Sequence, residues 1–428
     1  MSDALVLFFL GVYLIGLFGI GIISSRKISS DQQLFLGNRD LPWWAIGLSV
    51  VSTYVGALSF VGAPAWSYTD GLSVLLIHLN YPLAIIFVIT VFLPFFYNSG
   101  VPSIYDYLER RFGWTSRTLM AAVFLFSNFA YSGVMLYTTA LIIGYLTGFD
   151  ITSTIIGVGI LVFFYTSSGG ITAVVWTDVL QTAACVVGGI VVFGLTWLQI
   201  PDGLINRLEI LDRMEMLQIL DYSTDPTEVS TIWTGQGAMS VYHIVVYGVN
   251  QMMVQRTLAA KTIGDAKKAY LFMGYVASTI YFLFFAIGVM LFAFYEGKVF
   301  EDNNLILIEF VKTSSLPLVT ALVAVAIVAS AMSSLDSSLN SMATVTMVDF
   351  VKRFQKRHSS PEFYLGLTRF FTCFWTLSAV VPAILLIDSD GSVLELLTKF
   401  GSFFVGAKLM NVMSVPCRVW ICLLYTSP

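Results

Sequence analysis

The chain has little charge and few cysteines. Of its 428 residues only 11% are charged, against roughly 25% in an ordinary globular domain. Lys and Arg number 22 and Asp and Glu 26, so the net charge of −4 gives no basic excess to favour a nucleic-acid partner. Cys185, Cys373, Cys417 and Cys422 show neither metal-ligand spacing nor a paired framework, which argues against redox chemistry and a disulfide scaffold.

Apolar residues dominate the composition of the chain. They make up 57% of the chain, and the mean hydropathy is +0.82. A soluble fold of this size could not bury so much apolar surface, so the sequence predicts an integral membrane protein and excludes a cytosolic enzyme. The first apolar run follows Asp3 and ends before Arg26 without a clear cleavage site, which indicates a retained helix rather than a signal peptide.

The apolar runs predict ten membrane helices. About 20 mostly apolar residues are needed to cross the hydrocarbon core. One run is too long for a single helix and is divided at Ser167–Gly170. A candidate eleventh helix begins near Gly391. The predicted spans are 4–23, 41–69, 72–105, 118–149, 151–168, 171–200, 229–255, 269–295, 313–348 and 370–387.

The distribution of Lys and Arg predicts the orientation. Loops 24–40, 98–117, 256–268 and 349–369 contain fifteen of the 22 basic residues. Cytoplasmic loops carry this excess, so we expect a multi-pass protein of the plasma (inner) membrane with its N-terminus outside. The acidic segment 201–228 is then an extracellular loop, and its spaced leucines suggest a short surface helix.

Four ionisable side chains fall inside the predicted spans: Asp178, Asp336, His78 and His243. An ionisable group in the bilayer is costly unless it is paired or solvated, so each is a candidate functional residue. The alternative is a structural hydrogen bond between helices. Function is favoured for the aspartates, whereas the two interpretations are evenly balanced for the histidines.

A stripe of hydroxyl residues accompanies Asp336. Its members recur every three or four residues and therefore share one face of a helix. Hydroxyl, carbonyl and carboxylate oxygens suit a hard cation, which favours a sodium site over interhelical hydrogen bonding alone. The stripe consists of Ser330, Ser333, Ser334, Ser337, Ser341 and Thr344.

Two predicted helices carry many helix-weakening residues. The second span, 41–69, includes Gly56, Gly62 and Pro64, and the span 229–255 includes several glycines before Asn250. Unwound backbone at membrane depth is tolerated only where it lines a cavity. Two interrupted helices, one opening each half, indicate an inverted-repeat transporter that binds ions and substrate between the repeats. Glycine and proline are also common in ordinary membrane helices.

Five collinear motifs resemble those of the sodium/solute symporter family, which includes sodium-coupled sugar, sialic acid, iodide, vitamin and monocarboxylate carriers. The signature is SGGITAVVWTDVLQ at 168–181. The other motifs are FLGNR at 35–39, YDYLERRFG at 105–113, QRTLAAK at 255–261 and MSSLDSSLNS at 332–341. Together they extend over about residues 30–410 in the family's order.

The resemblance implies an all-α polytopic fold of the leucine-transporter type, with two inverted five-helix repeats and a leading extra helix. The expected parts are a leading helix at 1–23, repeats at 41–200 and 229–413, and the loop 201–228 between them. The family's chains usually extend further. Residues 410–428 lack family character, and we expect 414–428 to be a non-native tail on a truncated reading frame.

The resemblance also implies two ion sites. The shared sodium would be held by the backbone carbonyls of Ser52, Val55 and Ser330 and the hydroxyls of Ser333 and Ser334. A second sodium, present in some members, would use Asp178, Ser333, Asp336 and Ser337. Relatives commonly carry a hydroxyl residue at the position of Asp336, which leaves open whether one or two ions bind.

A solute pocket is implied as well. Its lining would be Tyr54, Ser59, His78, Tyr81 and His243, with Tyr131 opposite. Sugar carriers have an acid and sialic acid carriers an amide at the position of His78, so the solute stays open among sugars, sialic acids and organic acids.

The function expected is sodium-coupled import of a small polar organic solute by alternating access. The expected partners are sodium, the solute and the lipid bilayer, without nucleic acid, covalent chemistry or enzymatic activity. Three alternatives remain. Asp178 and Asp336 could hold a proton in place of sodium, the chain could sense solute without carrying it, and a membrane enzyme is the least favoured because neither His78 nor His243 has an evident nucleophile or metal partner.

Overall fold

The computed structural model describes most of the chain, and the helices it contains confirm a multi-pass membrane protein. Within the described part, seven helices are long and apolar enough to cross a membrane. The described residues are 2–25, 31–37, 39–99, 103–200, 208–209, 211–212, 214–225, 230–300, 303–314, 316–354 and 360–387.

The described residues of the first half of the chain form nine helices. A 3-10 segment, Gly71–Ile77, and a π segment, Val88–Phe92, connect some of them. The helices are α1 Ser2–Ser25, α2 Asp31–Leu36, α3 Trp43–Tyr54, α4 Ala57–Asp70, α5 Tyr81–Phe87, α6 Leu93–Ser99, α7 Ile104–Phe112, α8 Trp114–Thr147 and α9 Ile151–Gln199.

The second half follows a similar plan. The helices are α10 Met239–Val249, α11 Gln251–Leu258, α12 Ile263–Tyr295, α13 Ile306–Thr313, α14 Pro317–Val345, α15 Lys352–Phe354, α16 Pro361–Ser378 and α17 Val380–Leu385. One π segment, Trp233–Ala238, leads into α10, and a second, Thr346–Val351, continues α14.

The two predicted helix breaks are both present. Helix α3 stops at Tyr54 because Val55 leaves helical geometry, and α4 restarts after the extended residue Gly56. In the second half, α10 and α11 are separated by the extended residue Asn250, whose side chain accepts a hydrogen bond from Met252 N and caps α11. Each break therefore leaves backbone polar groups within the bundle.

Some predicted spans need correction. The run 72–105 is not one helix, because a 3-10 segment and a turn precede α5 and the described helix α6 ends at Ser99. The run 151–200 is divided as expected: Gly170 has φ 57° and ψ −164°, a conformation that an L side chain disfavours, so it bends α9. Loop 256–268 is shorter than predicted, since α11 continues to Leu258.

Three predictions lie largely outside the described residues. They are the eleventh helix near Gly391, the tail 414–428 and the helical part of the loop 201–228. In that loop, the described stretch 214–225 is irregular and packs through Met216 against Leu72.

Helix α14 lies at the centre of the bundle. Every residue from Ala326 to Met347 is buried, including the whole hydroxyl stripe. It packs against α1, α8 and α9 and also meets α3, α4 and α11. A polar face on the most enclosed helix must be matched by polar partners, so this helix positions the candidate site.

A cluster of charged side chains joins α7, α8 and the end of α14. Arg117 Nε donates to Asp349 Oδ1 at 2.7 Å, and its Nη1 lies 2.7 Å from Asp106 and 2.8 Å from Glu109. Arg353 contacts the second oxygen of Glu109 at 2.7 Å. The cluster lies at the end of the bundle that is predicted to be cytoplasmic.

Candidate sodium and solute site

The break between α3 and α4 meets α14 at a cluster of oxygen atoms. Ser333 Oγ donates to the carbonyl oxygens of Ser52 and Ser330, both at 2.8 Å. Ser334 Oγ donates to Thr53 O at 3.2 Å. All of these residues are buried. The structure therefore brings two distant segments together through backbone and hydroxyl oxygens alone.

Val55 and Gly56 complete this contact. Val55 lines a small internal gap together with Ser52 and Ser330. A Cβ added to Gly56 would lie 2.7 Å from Ser334 Oγ, too close for an ordinary contact, so only glycine lets the break approach α14 this closely. The helix break and the hydroxyl stripe thus fit one another at the same point.

The donor set at this contact fits sodium. The carbonyl oxygens of Ser52, Thr53 and Ser330 accept from the hydroxyls of Ser333 and Ser334, and Val55 lines the gap beside Ser52 and Ser330. Neutral oxygen ligands suit a hard monovalent cation, and the described residues contain no cluster of three or more His, Cys, Asp or Glu that could hold a metal ion. The five residues predicted for the shared sodium are therefore placed together.

The residues predicted for a second sodium have a different environment. Asp178 and Ser337 are both fully buried and both accept hydrogen bonds from Arg256 Nη2, the one to Asp178 Oδ2 being 3.3 Å long. Ser49 Oγ also donates to Asp178 Oδ2. Asp336 is buried on α14, between Ser333 and Ser337 in sequence. A guanidinium thus contacts two of the four predicted ligands.

Sequence reasoning missed Arg256. It assigned this residue to the loop 256–268, because the predicted span 229–255 was ended directly before this charge. In the structure the side chain is completely buried, and all three guanidinium nitrogens donate hydrogen bonds. The available signal was its place in the motif QRTLAAK, directly after an uncharged span.

Aromatic and imidazole side chains cluster beside the break. His78 stacks on Tyr281, with ring centroids 3.6 Å apart and an interplanar angle of 13°, and its Nδ1 lies 3.0 Å from the Tyr81 hydroxyl. Ser59 Oγ lies 3.0 Å from the Tyr281 hydroxyl. His243 is 4.6 Å from Tyr81, centroid to centroid. Tyr281, on α12, was not predicted and joins several of the predicted pocket residues.

His78 and Tyr81 come together for a reason other than the one predicted. Three residues apart within the predicted span 72–105, they would lie on one face of a single helix, but His78 lies in the turn after the 3-10 segment and Tyr81 begins α5. The turn is fixed by Asn80, which is buried and whose Nδ2 donates to Ile77 O at 3.1 Å and to Gly235 O at 2.6 Å.

Asn80 also fixes the tautomer of His243. Because its Nδ2 donates to two carbonyls, its Oδ1 must accept, and His243 Nδ1 lies 2.6 Å from that oxygen. His243 therefore carries its proton on Nδ1 and presents an unprotonated Nε2, 3.3 Å from the Tyr54 hydroxyl. Tyr54 donates to this nitrogen. The two backbone carbonyls that bind Asn80 Nδ2 therefore set the direction of each hydrogen bond from Asn80 through His243 to Tyr54.

Tyr131 and Tyr54 connect the solute and ion residues. Tyr131 is a side-chain hydrogen-bond partner of Ser334. Tyr54 is the last residue of α3 and directly precedes Val55. The predicted pocket residues are thereby placed around one helix break and next to the oxygen cluster.

Interrupted helices that cross at an oxygen-lined contact define the class of secondary transporters with inverted repeats. The fold agrees with a solved Na⁺-coupled sialic acid symporter in a substrate-bound outward-open state: the TM-score is 0.87 at 24% identity, over 96% of this chain and 87% of that chain. This likeness confirms the predicted leucine-transporter type fold.

The sequence model of the Sodium:solute symporter family matches residues 34–413. The bovine (Bos taurus) sodium-coupled monocarboxylate transporter 2 is 31% identical over 86% of this chain and 62% of its own length. The human (Homo sapiens) sodium/iodide cotransporter is 29% identical over 90% of this chain and 60% of its own length. The chain belongs to the sodium:solute symporter family, and it spans about three fifths of the length of these relatives.

Proposed function

We propose that the protein imports a small polar organic solute together with sodium. The observation that carries this function is the helix break at Val55 and Gly56. It is supported by the Ser52 carbonyl, which accepts from the Ser333 hydroxyl of α14 at 2.8 Å, by Val55 beside Ser52 and Ser330 at the internal gap, and by the Tyr54 hydroxyl 3.3 Å from His243 Nε2. An ion that binds the break also orders the backbone next to the solute residues, so each ligand raises the affinity for the other.

The shared sodium would be held by the five oxygen groups of Ser52, Val55, Ser330, Ser333 and Ser334. Bound there, the ion supplies positive charge that draws the carbonyls of α3 and the hydroxyls of α14 together. This chain's residues provide the geometry, since the close approach of Gly56 to Ser334 leaves no room for a side chain.

A short monocarboxylate is the first solute to test. The bovine relative is named a monocarboxylate transporter, and a carboxylate accepts hydrogen bonds from tyrosine hydroxyl and imidazole N–H donors. His78 and Tyr81 supply such groups, and Tyr54 and His243 complete a small aromatic enclosure around them. Sugars and sialic acids are the comparison solutes.

The test is uptake into proteoliposomes of radiolabelled monocarboxylate, hexose or sialic acid. We expect uptake of one solute class to require an inward sodium gradient and to fail with potassium. Equal uptake with either cation, or uptake driven by a proton gradient in the absence of sodium, would contradict sodium coupling.

We also infer that the chain lies in the plasma membrane with its N-terminus outside and that its repeats occupy 41–200 and 229–413. Fifteen of the 22 basic residues support this orientation. A single cysteine placed at Asp3 in a cysteine-free variant should react with an impermeant maleimide from outside intact cells. Labelling only after permeabilisation would reverse the orientation.

A further inference from the structure

Arg256 is the most enclosed cationic group of the described chain. It lies on α11 and belongs to the largest side chains that are under 2% exposed. Nε donates to Ser49 Oγ at 2.8 Å and Nη1 to Met252 O at 2.7 Å, while Nη2 donates to Asp178 Oδ2 and Ser337 Oγ. A buried charge with this many partners has a fixed position rather than a flexible one.

The partners come from four helices. Ser49 is on α3, Asp178 on α9 and Ser337 on α14, while Met252 is one turn before Arg256 on α11 itself. Ser49 Oγ accepts from Arg256 and donates to Asp178, so it joins the two charged groups. The guanidinium is therefore built into the bundle at the point where both halves of the chain meet.

This position overlaps the second ion site that the sequence predicts. Asp178 and Ser337 are two of its four predicted ligands, and Asp178 Oδ2 and Ser337 Oγ already accept N–H groups from Arg256. The negative charge of Asp178 is compensated by the Arg256 guanidinium. A sodium ion at Asp178 would have to displace that guanidinium or bind beside another positive charge, which is unfavourable where water is excluded.

We propose that Arg256 is a tethered cation that takes the place of a second sodium at Asp178 and so limits the protein to one sodium ion. Arg256 would thus determine how many sodium ions bind. This inference rests on the proposed function of sodium-coupled transport. Neutralising Arg256 opens Asp178 and Ser337 to a second ion.

The experiment counts bound sodium without any solute. Sodium replaces choline at constant ionic strength, and the unfolding temperature of the purified full chain is recorded. Above saturation, the stabilisation rises with the logarithm of sodium concentration in proportion to the number of ions bound. We expect a slope for one ion in the wild type and a slope about twice as large for Arg256→Gln.

Three variants make the result specific. Arg256→Lys keeps the positive charge and should keep the single-ion slope. The charge-balanced double variant Asp178→Asn with Arg256→Gln removes the carboxylate that the second ion needs, so its slope should return to that of one ion. Asp178→Asn alone should leave the wild-type slope unchanged, because Asp178 holds Arg256 rather than sodium.

Several results would overturn the inference. A two-ion slope in the wild type would do so, as would a halved slope in Asp178→Asn or an unchanged slope in folded Arg256→Gln. The wild-type and Asp178→Asn slopes decide the question even if Arg256→Gln does not fold. A wild type with no sodium response would overturn the proposed function as well, whereas two bound ions would overturn this inference alone.

Discussion

At the scale of single residues, the hydroxyls of Ser333 and Ser334 are the groups on which sodium affinity should depend most. Changing both to alanine removes two of the five proposed oxygen ligands. We expect the sodium concentration for half-maximal uptake to rise at least about tenfold, the change produced by losing about 1.4 kcal/mol of binding free energy. The measurement is uptake against sodium concentration.

The matched control is Ser338→Ala on the same helix. Ser338 is equally buried but contacts Ser132 and Asn128 on α8, away from the break in α3. Its replacement should leave the sodium concentration dependence unchanged. Equal shifts in Ser338→Ala and in the double variant would contradict the sodium assignment.

His78 offers a second test at the same scale. His78→Phe keeps a ring stacked on Tyr281 but removes both imidazole nitrogens, so it separates packing from hydrogen bonding. We expect solute affinity to fall about tenfold, as for a lost hydrogen bond of about 1.4 kcal/mol, while sodium stabilises the variant as it does the wild type. Lower stability with unchanged solute affinity would show that His78 only joins helices.

Residue spacing in the sequence predicted part of the ion and solute site, and the part that it did not predict has physical reasons. The hydroxyls at 330–334 share a helix face, so the three-to-four-residue spacing predicted that they contact the same neighbouring segment. Asn80 and Tyr281 were not readable, because their roles come from the crossing of helices distant in sequence. Arg256 was missed because the predicted span 229–255 was ended at this charge, whereas an arginine that is paired with Asp178 can lie inside the bundle.

At the scale of elements, α4 and α12 pack through a glycine. A Cβ at Gly288 would lie 2.1 Å from both Pro64 O and Ser67 Oγ. Ser67 Oγ also donates to Phe285 O at 2.8 Å across the same contact. Gly288→Ala should therefore force the helices apart and cost about 1–3 kcal/mol of stability, which thermal unfolding in detergent measures.

Gly194→Ala is the control for this packing contact. Gly194 lies within α9, and an added Cβ there meets nothing within 4 Å. Alanine favours helix over glycine by about 0.5–1 kcal/mol, so this variant should unfold at the same temperature or higher. If Gly288→Ala is as stable as Gly194→Ala, the close approach of α4 and α12 is not required.

The charged cluster around Arg117 should hold α8 to the end of α14. Asp349→Asn removes a buried carboxylate that bonds Arg117 Nε at 2.7 Å and accepts from Ser103 Oγ at 2.8 Å. Arg117 then keeps its partly exposed acidic partners Asp106 and Glu109, and losing the buried hydrogen bond between charged groups costs about 1.5–3 kcal/mol. We expect a clearly lower unfolding temperature for this variant.

Arg110→Ala provides the contrast, because Arg110 pairs with Asp106 at 2.8 Å while its own side chain is 63% exposed. Exposed pairs contribute about 0–1 kcal/mol. A similar loss of stability in both variants would mean that burial does not distinguish the two pairs.

At the scale of the whole molecule, composition and helix breaks predicted an inverted-repeat membrane protein, whereas the leucine-transporter type fold was implied by the resemblance of the motifs to a known family. An apolar content of 57% required a membrane protein, and interruptions in corresponding helices of each half indicated inverted repeats. The exact course of the chain from Gly71 to Tyr81 was not predictable, because hydropathy does not distinguish a 3-10 segment and a turn from a continuous membrane helix.

The buried pair of Asp178 and Arg256 has a consequence for the membrane potential. The pair is neutral, and both of its charges are fixed to the protein and are not released across the membrane. It therefore transfers no net charge during a transport cycle. One sodium and one monocarboxylate anion also sum to zero, and the potential, which contributes about 2.3 kcal/mol per charge per 100 mV, should therefore not drive uptake.

Uptake of monocarboxylate into proteoliposomes should thus be unchanged when potassium and valinomycin impose a potential that is negative inside. Arg256→Gln, with a second sodium per cycle, should be accelerated by the same potential, since it would carry one positive charge inward. Acceleration of the wild type would contradict one-to-one coupling. With one sodium per solute, as proposed, a single buried arginine determines whether the cell's voltage can drive import of this solute.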